Sequence, residues 1–346
     1  MQSFQLTKMQ LQISLICILA LVLLARPSQG TERSIQSGQT TIITQMIWSG
    51  QFVSAIDSCH RLIDERPDNP QGFFLLGMAY YSINNQYRND CYADSVAYFL
   101  DTAIELAEGK VDQEKNQAKW YFVLGSAYGC RALYRSIHGG WWGAFRDGHH
   151  SCSNLERAFK IDDQYTDALS GIGAYHYWKS AKSGILKKLP FIGDSRKRGI
   201  AEIIRAVEAE GIMSISAQKS LLPIYFNEKR YADMMNLADS LAAANSLDLS
   251  GRLHLTRAFI ELERWDLADR TLKEVQSAWE SSLYYDACGA AEALYLKGRI
   301  LSGRGDKSEA NQYLGQLFSM DSTCATNAYF RQTLLDARAL YKKLQD

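Results

Sequence analysis

The sequence predicts an all-α fold, a right-handed α-solenoid of about seven helix pairs, from the period of its apolar positions. A residue in the first helix of a pair is followed nineteen positions later by an apolar residue in the second helix, and the next pair begins fifteen positions after that. The two intervals sum to thirty-four, the period of repeats that bury their apolar face only against their neighbours. The longer interval separates Leu222 from Leu241, Thr256 from Val275 and Gly298 from Leu317, and the shorter one separates Leu62 from Gly77, Ala158 from Gly173 and Leu241 from Thr256.

Two further observations support the helical prediction. The second helices carry apolar residues three and four positions apart, which places one apolar stripe on each helix. This stripe comprises Phe52, Ala55, Cys59 and Leu62 in the first pair and Tyr231, Met234, Ala238 and Leu241 in the fifth. No segment of useful length alternates apolar and polar residues, as a half-buried strand would.

Two segments resemble the tetratricopeptide repeat family. WYFVLGSAY is similar to its first helix and RYADMMNLA to its second, and the resemblance extends over residues 40–320. It implies a binding scaffold with a concave groove, closed by an extra capping helix in the segment 325–344. GIGAYHYW, followed by LPFIGDSRKRGIAEIIRAV, is similar to exported bacterial repeat proteins of unknown function and distantly to inclusion-body-clearance relatives, which implies no activity.

The N-terminus is typical of a secretory signal peptide. Lys8 precedes an apolar run, and small residues lie before a cleavage site after Gly30. The predicted organisation is a signal peptide at 1–30, a linker at 31–39, a solenoid with enlarged helix pairs in repeats 2–4 at 40–322, and a capping helix and tail at 323–346. An uncleaved membrane anchor is the alternative for the first segment. Cleavage would make the protein exported, periplasmic or otherwise envelope-associated.

The overall charge bears on the class of partner, and the cysteines bear on possible disulfides. Lys and Arg together number 38, as do Asp and Glu, so the overall charge does not favour a nucleic-acid partner. Six cysteines follow the predicted cleavage site, in a compartment that permits disulfides. Cys59 is predicted to be a small core residue. Cys91 and Cys130 are predicted to lie within disulfide reach, because helix order places them near each other.

The repeat is interrupted by insertions in three consecutive pairs. The interval from Gly77 to Ala103 is twenty-six, and those from Gly125 to Ala158 and from Gly173 to Ala206 are thirty-three, against nineteen in the regular pairs. All three insertions fall at the same turn of the helix pair, where they either lengthen both helices or form loops. We expect residues 138–150 and 181–196 to touch each other and form one ridge beside the solenoid.

The predicted binding residues lie on this ridge and in the groove. On the ridge, aromatic and basic residues suit an acidic protein partner or an anionic membrane surface; they are Trp142, Phe145, Lys187, Lys188, Phe191, Arg196 and Arg198. In the groove, the predicted aromatic and apolar lining consists of Phe74, Met78, Tyr81, Phe122, Tyr177 and Trp178. Further along, Lys219, Arg257, Tyr295 and Arg299 are expected to orient an acidic peptide.

No motif for catalysis, a cofactor or a metal is evident. His138, His149 and His150 suit a metal poorly, because adjacent helical histidines point about 100° apart and no carboxylate or cysteine completes the set. The predicted function is therefore a non-enzymatic protein-binding scaffold, or an assembly or transport adaptor of the cell envelope, without cofactor and without nucleic acid. The alternative is a small-ligand or lipid-binding module that uses the same ridge.

Overall fold

The computed structural model describes residues 29–182, 194–245 and 247–345, with side chains from residue 38 onward. Within these ranges the chain forms sixteen α-helices, a 3₁₀ turn at Ala287–Gly289 and no strand. The helices are α1 Gln29–Trp48, α2 Phe52–Glu65, α3 Pro70–Tyr87, α4 Ala93–Gln113, α5 Ala118–Ile137, α6 Trp141–Ile161, α7 Ala168–Lys182, α8 Arg196–Glu208, α9 Ser214–Asn227, α10 Tyr231–Ala244, α11 Leu249–Glu261, α12 Trp265–Glu280, α13 Ala290–Arg304, α14 Lys307–Ser319, α15 Asp321–Cys324 and α16 Ala328–Gln345. The all-α prediction is confirmed.

The chain divides into two compact units, residues 1–42 and residues 43–346. Helix α1 extends from Gln29 to Trp48 and includes residues 31–39, whose role as a linker stays a prediction. The signal peptide lies almost entirely outside the described residues and stays a prediction. Among the described helices, none has the length and apolar character needed to span a bilayer.

Within the second unit, successive helices pack as pairs along the predicted stripes. The stripe residues Phe52, Ala55, Cys59 and Leu62 are all buried, which confirms Cys59 as a core residue. Small residues permit the close approach of the two helices in a pair. A Cβ atom on Gly77 would lie 2.8 Å from Cδ2 of Leu100, so a larger residue at this position would push α3 away from α4.

Helix starts follow the local chemistry of the turns. The side chain of Asn69 accepts a hydrogen bond from the backbone N–H of Gln71, and Pro70 occupies the first position of α3, where a missing N–H costs nothing. Asp248 caps α11 in the same way, by accepting from the N–H of Ser250. Both caps lie in turns that connect one helix pair to the next.

The first two insertions lengthen helices. Helices α3 and α4 have 18 and 21 residues, and α5 and α6 have 20 and 21, whereas α9 and α10 have 14 each. Helix α6 begins at Trp141, directly after the Gly139–Gly140 turn. Most of the third insertion falls on residues 183–193, outside the described residues.

The second unit closes on itself, because its first helices pack against its last. Trp279 donates its indole N–H to the carbonyl of Gln86 at 3.0 Å, and the Asn89 side chain donates to the carbonyl of Tyr284 at 2.9 Å. The backbone N–H of Ala328, at the start of α16, donates to Asp90 at 2.6 Å. We call the contact of residues 86–90 with residues 279–289 and 327–329 the seam.

The seam also contains an aromatic cluster and lies beside a disulfide. The ring of Tyr284 packs against Phe52, Tyr87 and Tyr92, with ring centroids 5.9, 5.5 and 6.2 Å apart. Cys288 and Cys324 form a disulfide that fastens the turn before α13 to the end of α15. The segment that follows forms the predicted capping helix, α16, whose Phe330, Leu334 and Ala337 are buried.

The predicted proximity of Cys91 and Cys130 does not lead to a bond. Both thiols are free, Cys130 being buried and Cys91 exposed. The thiol of Cys91 lies 3.8 Å from a carboxylate oxygen of Asp286, on the far side of the seam. Closure of the array thus turns Cys91 toward the last repeats, a contact that helix order alone does not indicate.

Candidate functional site

The predicted groove is closed, and part of its predicted lining is core. Phe74, Met78 and Tyr177 are buried, Tyr177 completely, so the prediction that they line an open groove is wrong. Tyr177 donates its hydroxyl to Glu228 at 2.8 Å and accepts from the amide of Asn227 at 2.6 Å. The physical reason is packing within the chain: the end of α9 covers Tyr177, and Phe74 and Met78 belong to a core cluster that also contains Leu249 and Leu253 of α11.

The other predicted groove aromatics are half-buried in contacts within the chain. Phe122 packs against Tyr165 with ring centroids 5.6 Å apart, and Trp178 meets Tyr177 edge to face at 5.0 Å. Burial raises the pKa of the Tyr81 hydroxyl above its usual range. None of these three side chains presents an open aromatic surface like the one described below.

The cations predicted for the far end of the groove are paired with acids of the same chain. Lys219 lies 2.7 Å from the carboxylate of Asp248, and Arg299 lies 2.9 Å from that of Glu261. Arg257 binds Glu292 at 2.6 Å. The expectation that these cations orient an acidic peptide is therefore wrong, because intramolecular acids already neutralise them.

A buried polar cluster fills the interior between the first and last helices. Thr333 of α16 donates to the second carboxylate oxygen of Glu292 at 3.1 Å. Burial alone would raise the pKa of Glu292, but the charges of Arg257 and Arg88 and the hydrogen bonds from Arg257 and Thr333 lower it to about 2. Burial, helped by the charge of Arg257, lowers the pKa of His254 to about 3, so this imidazole is neutral in the folded protein. We call Arg88, His254, Arg257, Glu292 and Thr333 the interior cluster.

Large aromatic side chains are instead exposed where α6 begins. Trp141 and Trp142 are 50% and 79% exposed, and Phe145 is 42% exposed. The two indoles meet edge to face with centroids 5.0 Å apart, and Trp141 stacks on Phe145 at 5.9 Å. Phe145 continues the surface to Tyr175 of α7 at 6.4 Å. We call Trp141, Trp142, Phe145 and Tyr175 the aromatic edge.

A buried ion-pair network fixes the start of α6 beneath the aromatic edge. Asp147 is fully buried and accepts from both Arg131 and Arg135 of α5, with nitrogen–oxygen distances of 2.9, 3.0 and 2.6 Å. A second carboxylate, that of Asp101, accepts from Arg131 at 2.6 Å. A buried carboxylate with this many donors is costly to displace, so Asp147 anchors the second turn of α6 to α5.

Basic side chains surround the aromatic edge. The ammonium of Lys179 lies 5.6 Å from the Tyr175 ring centroid, within cation–π distance, and that of Lys182 lies 5.6 Å from the Trp178 ring. Arg146, next to Phe145 in the sequence, is exposed. The edge therefore combines an apolar centre with a positive rim.

The remaining predicted ridge residues have different environments. Lys187, Lys188 and Phe191 lie outside the described residues, as does most of the segment 181–196, so its contact with residues 138–150 stays a prediction. Arg196 is paired with Asp194 at 2.6 Å and with Glu228 at 2.9 Å. Arg198 is 63% exposed on its side chain and bonds Glu202 at 2.8 Å.

Sequence reasoning missed Trp141 and Tyr175 as members of the edge. Trp141 and Phe145 are four residues apart, which places them on one face of α6, and this spacing was the available signal for Trp141. Tyr175 comes from the next helix pair, and only packing places it beside Phe145. Of the three histidines weighed above as metal ligands, His138 instead bonds Asp90 in the seam at 3.0 Å.

Comparisons with known proteins concern the fold. No family model matches the sequence, and no curated protein matches it. Among solved structures, a thermophilic TPR protein from Thermus thermophilus is 15% identical, with a TM-score of 0.42, and the alignment covers 64% of this chain and 98% of that one. A tetratricopeptide repeat protein from Parabacteroides merdae is 12% identical with a TM-score of 0.41, covering 87% and 98%. The P58(IPK) TPR domain is 12% identical with a TM-score of 0.26, covering 89% and 99%.

The arrangement of the helices in packed pairs is observed in the structure itself and does not depend on these similarities. In the described part of the chain, α1 and α2 are followed by six packed helix pairs, α3–α4 through α13–α14, and α16 caps the last pair. The described part of the chain is thus an all-α array of packed helix pairs that ends in a capping helix.

Proposed function

We propose that this protein is a non-enzymatic protein-binding scaffold of the cell envelope and that its partner docks on the aromatic edge. The single observation that carries the proposal is the exposure of Trp141, Trp142 and Phe145 at the start of α6. A contiguous exposed apolar patch on a folded domain is typical of an interaction site. Tryptophan supplies much of the binding free energy in such sites when it is buried by a partner.

The charge around the edge favours one kind of partner. Arg146, Lys179 and Lys182 lie at its rim and are exposed. A protein that presents an apolar side chain flanked by acidic residues would bury the indoles and meet these cations at the periphery. Rim charges act mainly on the association rate, so we expect recovery of the partner to fall as salt concentration rises.

Site-specific photocrosslinking tests this proposal directly. A photoreactive amino acid at position 142 is expected to trap one discrete protein in the cells that produce this chain. Introducing Trp141→Ala and Phe145→Ala is expected to lower the yield at least tenfold, because loss of an aromatic anchor typically costs about 2 kcal/mol or more.

The matched control is Tyr98→Ala, since Tyr98 is 63% exposed on α4, another of the lengthened helices. It is expected to leave the yield unchanged. Equal loss with the control, or full yield after loss of Trp141 and Phe145, would contradict the assignment of the edge. Trapping of lipid in place of protein, seen by mass spectrometry, would instead support the ligand-binding alternative.

A further inference from the structure

A cysteine, a glutamate and a histidine meet between helices α6 and α7. Cys152 and Glu156 are four residues apart on α6 and therefore lie on one face of it. His176 reaches the same point from α7. One potential ligand atom from each residue lies within 4.8 Å of the other two. Cys152 is buried, His176 is half-buried and Glu156 is exposed, so the cluster opens to solvent on one side.

A second carboxylate fixes the histidine ring. Nδ1 of His176 lies 2.7 Å from Oε2 of Glu202 on α8. The other oxygen of Glu202 accepts from Arg198 at 2.8 Å, which holds this carboxylate in place. With Nδ1 bonded to Glu202, Nε2 is the nitrogen left to bind another atom. A carboxylate on the far nitrogen is the usual arrangement around a metal-binding histidine.

Close helix packing produces this arrangement. Helices α7 and α8 approach closely at Gly173 and Gly199, where a Cβ atom on either residue would collide with the backbone of the other. The same Cβ atom on Gly173 would lie 3.0 Å from that of Glu202. Any side chain at Gly173 would therefore displace Glu202 from His176. Gly173 and Gly199 therefore allow the close packing of α7 and α8, and this packing also places Glu202 beside His176.

We propose that Cys152, Glu156 and His176 bind a zinc ion, with Glu202 as a positioning residue. Sulfur, imidazole nitrogen and carboxylate oxygen are the three ligand types that zinc accepts together, whereas calcium and magnesium prefer oxygen alone. Three protein ligands leave the fourth tetrahedral position to a water molecule, on the solvent side of Glu156. The two anionic ligands balance the charge of the ion.

The geometry needs only a small adjustment. Zinc–ligand bonds of about 2.0–2.3 Å place tetrahedral ligands about 3.3–3.8 Å apart. The observed upper limit of 4.8 Å is therefore about one ångström too wide. Glu156 is exposed, so its side chain can supply this movement without disturbing the core.

The test is metal binding by the purified full chain without a histidine tag, after removal of metals by a chelator. Zinc is expected to bind at one equivalent. Cobalt(II) at the same site is expected to produce the near-ultraviolet absorption of a cobalt–thiolate bond. Cys152→Ser is expected to abolish that absorption, and His176→Gln and Glu156→Gln to weaken zinc binding more than a hundredfold.

Glu202→Gln tests whether Glu202 positions His176 without binding the zinc ion itself. We expect it to weaken zinc binding about 10–100-fold, as is usual for partners of ligating histidines, while the cobalt–thiolate absorption persists at saturating metal. Cys91→Ser and His149→Gln are matched controls, because both residues are exposed and outside the cluster. They are expected to change neither the stoichiometry nor the absorption.

Two results would overturn the proposal: no binding of zinc near one equivalent by the parent chain, or binding that survives the loss of Cys152 and of His176. Helical circular dichroism of each variant checks folding. Glu156→Gln alters an exposed side chain, so the test does not depend on a buried substitution being tolerated. Because no partner protein is present in these measurements, their outcome is independent of the function proposed for the aromatic edge.

Discussion

The interior cluster and the aromatic edge differ in what their chemically distinctive side chains contact. In the interior, the buried carboxylate of Glu292 accepts hydrogen bonds from Arg257 and from Thr333. At the edge, Trp142 keeps most of its surface exposed although its helix is fixed by the buried Asp147. Charges that are buried and paired stabilise a conformation, whereas exposed aromatics on a rigid support remain available to a partner. The interior cluster therefore contributes to stability, and the aromatic edge is the surface on which we propose that a partner binds.

Removal of the central carboxylate should have the largest effect. Glu292→Ala leaves the half-buried Arg257 and the buried Thr333 without their shared partner, and we expect a loss of about 3 kcal/mol or more in the free energy of unfolding. Urea denaturation followed by circular dichroism measures this loss. Asp266→Asn is the control, because Asp266 pairs with Arg304 at the surface and is 93% exposed on its side chain; its effect should be about 1 kcal/mol or less. Equal effects would contradict the structural role of the interior.

Acid should destabilise the interior in two pH ranges. The folded-state pKa of His254 is about 3, so between pH 6.5 and 3 the unfolded chain binds a proton that the folded chain does not, and stability falls as pH decreases. The pKa of Glu292, at about 2 against an ordinary value of 4.5, adds a further loss below about pH 4.5. Each group contributes a slope of up to about 1.4 kcal/mol per pH unit.

Urea unfolding at successive pH values measures both slopes. In His254→Gln the decline between pH 6.5 and 4.5 should flatten, while the loss below pH 4.5 should persist. An unchanged decline in this variant would show that other groups carry the acid sensitivity.

The disulfide should have an intermediate effect on the same side of the molecule. Cys288 and Cys324 enclose a loop with a sequence separation of 36 residues. Replacing both by serine is expected to cost about 2–4 kcal/mol through the larger entropy of the unfolded chain. A reductant should lower the unfolding midpoint of the parent protein to that of the double variant. It should leave the midpoint of the double variant unchanged. A response of the double variant to reductant would point to a different bond.

Substitutions at the aromatic edge should change the free energy of unfolding least. Trp142→Ala is expected to change the free energy of unfolding by no more than about 0.5 kcal/mol, since the side chain is largely exposed. Trp279→Phe in the seam removes the hydrogen bond to Gln86 and should cost at least about 1 kcal/mol. Urea denaturation of the two variants measures both losses, and the loss should be larger for Trp279→Phe. A larger loss for Trp142→Ala would contradict the difference between the seam and the edge.

The sequence determined the helix pairs because their signal is local. The stripe at Phe52, Ala55 and Cys59, the cap at Asn69 with Pro70, and the lengthened helices flanking Gly139 each depend on residues within a few turns of one another. Trp142 and Phe145 could be picked out because they lie in an insertion that interrupts the repeat, but the insertion alone did not indicate how far their side chains are exposed.

Only the tertiary structure decided which surfaces stayed open. Closure of the array joins residues about 160–240 positions apart, such as Gln86 with Leu247 and Arg88 with Asn327. Such closure depends on the small rotation between successive repeats, added over the whole array, and no local pattern records that sum. It turned Cys91 toward Asp286, whereas packing between neighbouring pairs buried Tyr177 and paired Arg257 with Glu292. Packing between neighbouring pairs likewise brought His176 to Cys152, since residues on separate helices meet only when the backbones between them come close, as at Gly173 and Gly199.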